Sequence, residues 1–483
     1  MMRFSSITNR RGAVLLLGAS LALASAAGAD PAPIALVNFT GGETLRYTVP
    51  LIRGTLADKA LTTVEVVNES STRDTARLTC LAYDGRFKAL AELVPGTNRL
   101  VIRAGTNSLA LRLVYKPQTS PYVVRILYAT DKTGDTSYQT PIKNDPQDYA
   151  GKLGTMMLMM QGFTAERMYD MGMGRMTFNL ELDEAGKVKV HVLKCDKTAA
   201  EIYAMGGGRG RLFSYIAAQV RAQLPQDKAR NVVITAFSKF NPATKHNMAY
   251  AALGGGNTAW FGGSNLYSYP RRLADIQAAF MDATPIDTDN YSSDSVGRHA
   301  FWANASTSIG AALHELGHTF ELPHSRDGFD IMTRGMDFFS RFWVLQEAPK
   351  RGQTQLFDFK EERSARWTLA SAAFLKYTPW FAMDARDYTK ENRIQARPGR
   401  EADEFIVTSP DGIGAVLLGS PGSISTAVPR DWSKPEPTSV VVNAKAFAKD
   451  LEGDRAWLRI IDTQGHVTNA FLKAMRAPGG PAK

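Results

Sequence analysis

Ala311-Ala312-Leu313-His314-Glu315-Leu316-Gly317-His318-Thr319-Phe320-Glu321-Leu322-Pro323-His324 decides how this chain is read. It holds two histidines four positions apart, with a glutamate directly after the first. On a helix that spacing stacks His314 and His318 one turn apart on one face, where both rings can grip a single ion. Ile309, Leu313, Leu316 and Phe320 supply an apolar stripe. Ser306, Thr307 or Ser308 is the expected N-cap, and Pro323 ends the pattern. His324 adds a third imidazole six residues after His318. With only seven histidines in 483 residues, an accidental H-E-x-x-H arises on the order of once in 200 such chains.

The residue types suit zinc. Neutral imidazoles leave the ion its positive charge, and three protein ligands keep a fourth place open for water, whose pKa falls toward about 7. Glu315, beside a ligand, is the expected base for that water and the expected donor to a leaving amine. Met332, in Asp330-Ile331-Met332-Thr333-Arg334-Gly335, stands eight residues after His324, where a tight turn would pack beneath the histidines. Arg334, Tyr267 and Tyr269 are further candidates for substrate or oxyanion contacts. His191, His246 and His299 read as structural or exposed.

Together His314, Glu315, His318, His324 and Met332 resemble the metzincin clan of zinc peptidases. A closer similarity is to a zinc metallopeptidase family known largely from fungi. It is carried by Phe87-Lys88-Ala89-Leu90 with Pro95-Gly96-Thr97-Asn98, by Phe163-Thr164-Ala165-Glu166-Arg167-Met168-Tyr169, by Ala251-Ala252-Leu253-Gly254-Gly255-Gly256 and by Ile331-Met332-Thr333-Arg334-Gly335. The resemblance covers roughly residues 85–381. It implies a zincin-like catalytic domain behind an N-terminal β domain, with Zn2+ as cofactor and a peptide or protein as substrate. One position departs from the clan pattern: Glu321 stands where a glycine would turn the chain toward the third ligand. A non-glycine residue held in a left-handed conformation costs about 1–2 kcal/mol. Glu321 also shares the helical face of His314 and His318, so it is an alternative third ligand. The break imposed by Pro323 favours His324.

The expected fold class is an α+β or α/β zincin-like catalytic domain flanked by N-terminal and C-terminal β-sandwich domains. Residues 1–29 read as an export signal: Arg3, Arg10 and Arg11, then an apolar run over 13–24, then Ala27-Gly28-Ala29. Arg10-Arg11 also hints at a twin-arginine signal. Residues 30–118 are rich in β-formers, as in 63–67 and 111–115, and residues 87–98 carry a hairpin signal. Residues 119–388 alternate strands (122–129, 188–193, 232–240) with helices (152–169, 210–224). The methionines of the first helix read as core. The Gly206–Gly208 run lacks the spacing of a phosphate loop and reads as a connection. Residues 389–483 read as a second β domain, on strands at 405–408, 414–418, 439–442 and 457–461, with a disordered tail over 478–483.

Removing residues 1–29 takes away three arginines and no acidic residue, so the formal net charge falls from +10 to +7. No Lys/Arg block or nucleic-acid motif accompanies that charge, which excludes a nucleic-acid partner from the reading. No later segment has the length of apolar run that spans a bilayer. Cys80 and Cys195 either form one disulfide or stay as buried thiols. Oligomeric state is open. These readings converge on a secreted or periplasmic zinc metalloendopeptidase. Two rivals stand beside it: a surface-binding or adhesion protein with a weak or inactive site, and a zinc hydrolase of a non-peptide bond.

Overall fold

The computed structural model describes residues 32–401, 403–420, 422–447 and 456–472. The export signal expected over 1–29 and the tail over 478–483 lie outside them. Three main β assemblies, two small two-stranded sheets and a set of helices make up the described residues, a mixed α/β, multi-sheet architecture.

At the N-terminal end, eight strands are hydrogen-bonded in one continuous order, and Arg77–Tyr83 passes between two sheets: its first residues pair with Thr63–Asn68 and its last with Arg86–Leu90. The order of the eight is Ile34–Leu36, Leu51–Leu56, Arg86–Leu90, Arg77–Tyr83, Thr63–Asn68, Gly96–Ala104, Asn107–Tyr115 and Thr44–Leu45. Strict alternation of exposed and buried residues along Arg77–Tyr83 marks a sheet with one wet face. The hairpin expected over 87–98 does not form. Arg86–Leu90 pairs with Arg77–Tyr83 instead, through a tight turn at Asp84-Gly85 where both residues have positive φ. Asn98 serves the loop before its own strand: its amide donates to Val94 O at 2.8 Å and Gly96 O at 3.0 Å.

The central sheet follows the expected strand–helix alternation. Val123–Thr130, Ala229–Thr235 and Thr258–Gly262 run parallel, and Val190–Lys194 joins the far side of the first. The apolar runs of Val123–Thr130, Ala229–Thr235 and Thr258–Gly262 are largely buried on both faces, as central parallel strands under helices must be, whereas Val190–Lys194 leaves Val192 exposed. Ala252–Gly255 closes the order as an antiparallel edge strand. The helix Tyr149–Asp170 is capped by Asp148, whose carboxylate accepts from the Gly151 N–H at 2.8 Å. Met156, Met157, Met159, Met160 and Met168 are buried in it and act as packing. In the same helix, buried Glu166 accepts hydrogen bonds from Tyr47 and Asn38 of the N-terminal region.

Beyond residue 389 the strands form two facing sheets, one of them joined by a short strand from the histidine region. One holds Gln395–Pro398, Glu404–Thr408 and Ser439–Asn443; the other holds His324–Ser325, Ser423–Ala427, Ile413–Ser420, Trp457–Asp462 and Val467–Phe471. Between them lie Phe405, Val407, Val416, Leu418, Val442, Leu458 and Ile460. The larger sheet is buried on its other face too. Ala415, Leu417, Ile424 and Ile461 join the same apolar cluster as the central helices and the N-terminal sheet. The C-terminal strands are thus fused to the body of the molecule. Cys80 and Cys195 are free buried thiols in different apolar clusters. Burial pushes them up to about 11 and about 12 respectively. Among the described residues no helix is long and apolar enough to cross a membrane.

Candidate metal centre

The helix that carries the histidines, Phe301–Thr319, starts earlier than expected. Its N-cap is Ala300, without a side-chain cap, and Ser306, Thr307 and Ser308 lie inside it, buried. The serine hydroxyls are used internally: Ser308 donates to Asn304 O at 2.5 Å, and Ser306 accepts from the Ser340 N–H at 2.9 Å. At its C-terminus the Glu321 and Leu322 N–H groups return to His318 O and Gly317 O, each at 3.1 Å. This pair of bonds is a Schellman cap. Its left-handed position is Glu321, with φ 67°. The residue adopts the conformation of the glycine it replaces. Its carboxylate turns to Arg459, 3.2 Å away, and it is absent from the metal-competent cluster.

That cluster consists of His314, His318 and His324, whose ligand atoms all lie within 4.8 Å of one another. His314 Nδ1 faces Ile331 O and His318 Nδ1 faces Leu322 O, both at 2.8 Å. A carbonyl oxygen can only accept, so each Nδ1 carries the hydrogen and each Nε2 presents a lone pair. Those two Nε2 atoms face each other at 3.1 Å. Lone pairs so close repel unless a cation lies between them. Tetrahedral zinc with bonds of about 2.0–2.1 Å sets its nitrogens about 3.3 Å apart, so the residues fit the ion. The His324 ring centroid lies 5.3 Å and 4.8 Å from those of His314 and His318. His324 is exposed and marks the solvent side of the cluster. Burial first, then the neighbouring imidazole, holds His314 down at about 4. Burial likewise lowers His318.

Glu315 is 7% exposed. Burial pushes its carboxyl up to about 7, against a hydrogen bond from the Gly254 N–H. Gly254 belongs to the antiparallel edge strand, and a Cβ placed on it would meet Glu315 O at 2.1 Å. Only glycine lets strand and helix approach so closely. Beneath the histidines, Met332 is fully buried with its sulfur against Gly317; a Cβ there would lie 2.3 Å from Sδ. The turn bearing Met332 is fixed by fully buried Asp330. Its carboxylate accepts from the Met332 N–H at 2.9 Å, Thr368 Oγ1 at 2.7 Å and Ser371 Oγ at 2.8 Å. Burial raises the pKa of Asp330 despite these bonds.

Other candidates fall away from this centre. Tyr267 is buried and donates to Ser292 O at 2.6 Å, and Tyr269 is buried. Arg334 is half exposed and paired with Asp337, yet its charge reaches His314. His191 lies against Glu181, His246 is exposed on a short strand, and His299 bonds Ser293. Sequence reasoning missed Asp330, Thr368, Ser371 and Arg459. An aspartate two residues before a turn methionine is a local signal for the first; nothing in the sequence marks the others.

Comparison with known proteins places the chain among peptidases. A curated relative from Schizosaccharomyces pombe, named "Putative zinc metalloproteinase", is 28% identical over 337 residues, covering 65% of this chain and 54% of the relative. Another of the same description, from Saccharomyces cerevisiae, is 26% identical over 301 residues, covering 54% of this chain and 42% of the relative. The chain spans about half the length of the curated relatives it matches. These names imply zinc. Among solved structures, wild-type OgpA from Akkermansia muciniphila is similar with a TM-score of 0.46 at 17% identity, covering 73% of this chain and 92% of that one. Catalytically inactive OgpA in complex with an O-glycopeptide gives a TM-score of 0.45 at 16% identity, covering 73% of this chain and 92% of that one. The family described as "Putative peptidase family" matches residues 33–412. Since that match runs through well over half of the 483 residues, the chain belongs to this family of peptidases.

Proposed function

We propose that this chain is a secreted or periplasmic zinc-dependent endopeptidase in which His314, His318 and His324 hold the metal and Glu315 moves the proton. The observation that carries this reading is the pair of Nε2 lone pairs facing each other at 3.1 Å with His324 closing the cluster on the solvent side. Bound there, zinc acidifies water and polarises a carbonyl. The chain's own groups do the rest. Glu315, raised toward neutrality by burial, is suited to accept a proton at its carboxylate and return it to the leaving amine. Apart from the Gly254 N–H, which Glu315 takes, the outer edge of Ala252–Gly255 offers main-chain groups to an extended peptide, which would add as a further strand beside Glu315. Met332 and Asp330 hold the floor of the site.

A binding-only protein would require the departure at Glu321 to spoil the site. That residue adopts the left-handed turn and leaves the imidazoles together, so nothing local argues for a degenerate site. The test is Glu315→Gln in the full chain. Zinc content should stay at one per chain while cleavage of a proteome-derived peptide library collapses. Undiminished cleavage by the variant sinks the mechanism, and a wild-type chain that binds zinc but cleaves no peptide sinks the substrate class.

A further inference from the structure

The strand that carries the third histidine is held from both sides. On one side the Ser325 N–H donates to Met332 O at 3.1 Å, in the turn beneath the cluster. On the other side it is paired, in parallel, with the C-terminal strand Ser423–Ala427, in the register His324 to Ser423 and Ser325 to Ile424. The His324 N–H donates to Gly422 O at 3.1 Å, and the Arg326 N–H to Ile424 O at 3.2 Å. A second contact reaches the bend just before it. Arg459, on the strand Trp457–Asp462 of the same sheet, donates from one Nη to Glu321 O at 3.0 Å and to its carboxylate at 3.2 Å. Its guanidinium is anchored over the Phe374 ring at 4.9 Å and by Asn469 at 3.3 Å.

We infer that the C-terminal sheet is a positioning device for the metal centre: Arg459 and the strand Ser423–Ala427 fix the Glu321–His324 bend so that the third imidazole meets the other two. His314 and His318 are pre-set by their helix. His324 stands beyond a helix end, on a two-residue strand, exposed, and follows a left-handed residue that is not glycine. Such a bend needs an external tie to stay in place. All of its C-terminal partners lie beyond residue 412, outside the span matched by the peptidase family. Arg459 touches neither metal nor substrate and acts through His324. The inference rests on the metal-binding reading above.

The test uses the full chain, measuring zinc affinity by chelator competition and amide exchange across 321–326 in metal-free protein. Arg459→Ala should weaken zinc binding by about 10-fold or more, as loss of a group that orients a ligand does. Arg459→Lys, which keeps a cationic donor, should recover most of that loss. Arg393→Ala breaks the Arg393–Asp411 pair elsewhere in the C-terminal region and should leave affinity unchanged. In the wild type the His324 and Arg326 amides should exchange slowly, and Arg459→Ala should speed them. Wild-type affinity in Arg459→Ala, or an equal loss in Arg393→Ala, overturns the inference. So do fast amides in the wild type, whether or not zinc binds. A wild type that binds no zinc overturns instead the functional reading, leaving the exchange measurement to judge the tie on its own.

Discussion

Replacing Gly254 by alanine probes the contact between edge strand and histidine helix, and its sign separates two views of the glycine. In a strand interior alanine is ordinarily better than glycine by about 0.5–1 kcal/mol. Here the new Cβ would lie 2.1 Å from Glu315 O, 2.8 Å from its C and 2.9 Å from its Cα, all backbone atoms that cannot swing aside. In an interior packed like a crystal, clearing them moves the strand by about 1 Å. Overpacking of that kind costs about 1–3 kcal/mol, so the variant should be less stable, not more. The Gly254 N–H should also leave the Glu315 carboxylate, removing the bond that opposes its rise. A shift of about 1 Å in a positioning element lowers turnover by about 100-fold. Gly255→Ala is the control, because a Cβ there meets nothing within 4 Å. The assay is urea denaturation of both variants, with peptide turnover at measured zinc content. A Gly254→Ala protein as stable and as active as Gly255→Ala would refute the packing argument.

Further outcomes follow from the same geometry. Gly317→Ala should destabilise the chain despite alanine's better helix propensity, since Met332 Sδ blocks the new methyl; adding Met332→Ala should cost less than the sum of the two single changes, as a double-mutant cycle would register. Asp330→Ala leaves buried donors on Met332, Thr368 and Ser371 without their acceptor, which should cost about 2–4 kcal/mol in denaturation. For Glu361, burial acts to raise the carboxyl, but the charges of Lys88 and Arg167 more than offset it and hold it at about 2, below the ordinary 4.5. Its folded pKa is depressed, so its stabilisation is complete above pH 4.5 and fades as pH falls toward 2. Screening at its half-exposed side chain keeps the effect small, and Glu361→Gln should flatten the stability curve only in that window. Because Cys80 and Cys195 are buried free thiols, reductant should leave the melting temperature unchanged, and thiol reagents should label them only after unfolding.

Much of the site was legible because its logic is local. The spacing of His314, Glu315 and His318 encodes a helical face, and Pro323 marks where that face must end. Met332 was readable from its distance to His324. Local reasoning failed where burial erases pattern or where partners are distant in sequence. Residues 301–308 are buried on all sides, so nothing amphipathic marks the helix start, and three hydroxyls that look like caps bond inward or pack inside. The hairpin expected over 87–98 lost to Asp84-Gly85, whose paired positive φ values better match strand twist. The Ser423–Ala427 pairing with His324 is made by main-chain groups, which no side-chain pattern announces. Arg459 is one arginine among many until the fold brings it to Glu321.

The apolar interior that runs without a break from the N-terminal sheet, under the methionine-rich helix, to the inner face of the C-terminal sheet has a consequence for how the protein fails. Regions that share one interior have no seam along which to part. Heat or protease should therefore take the molecule in a single step, with no surviving fragment that still coordinates metal, and loosening any outer layer should register at the three histidines.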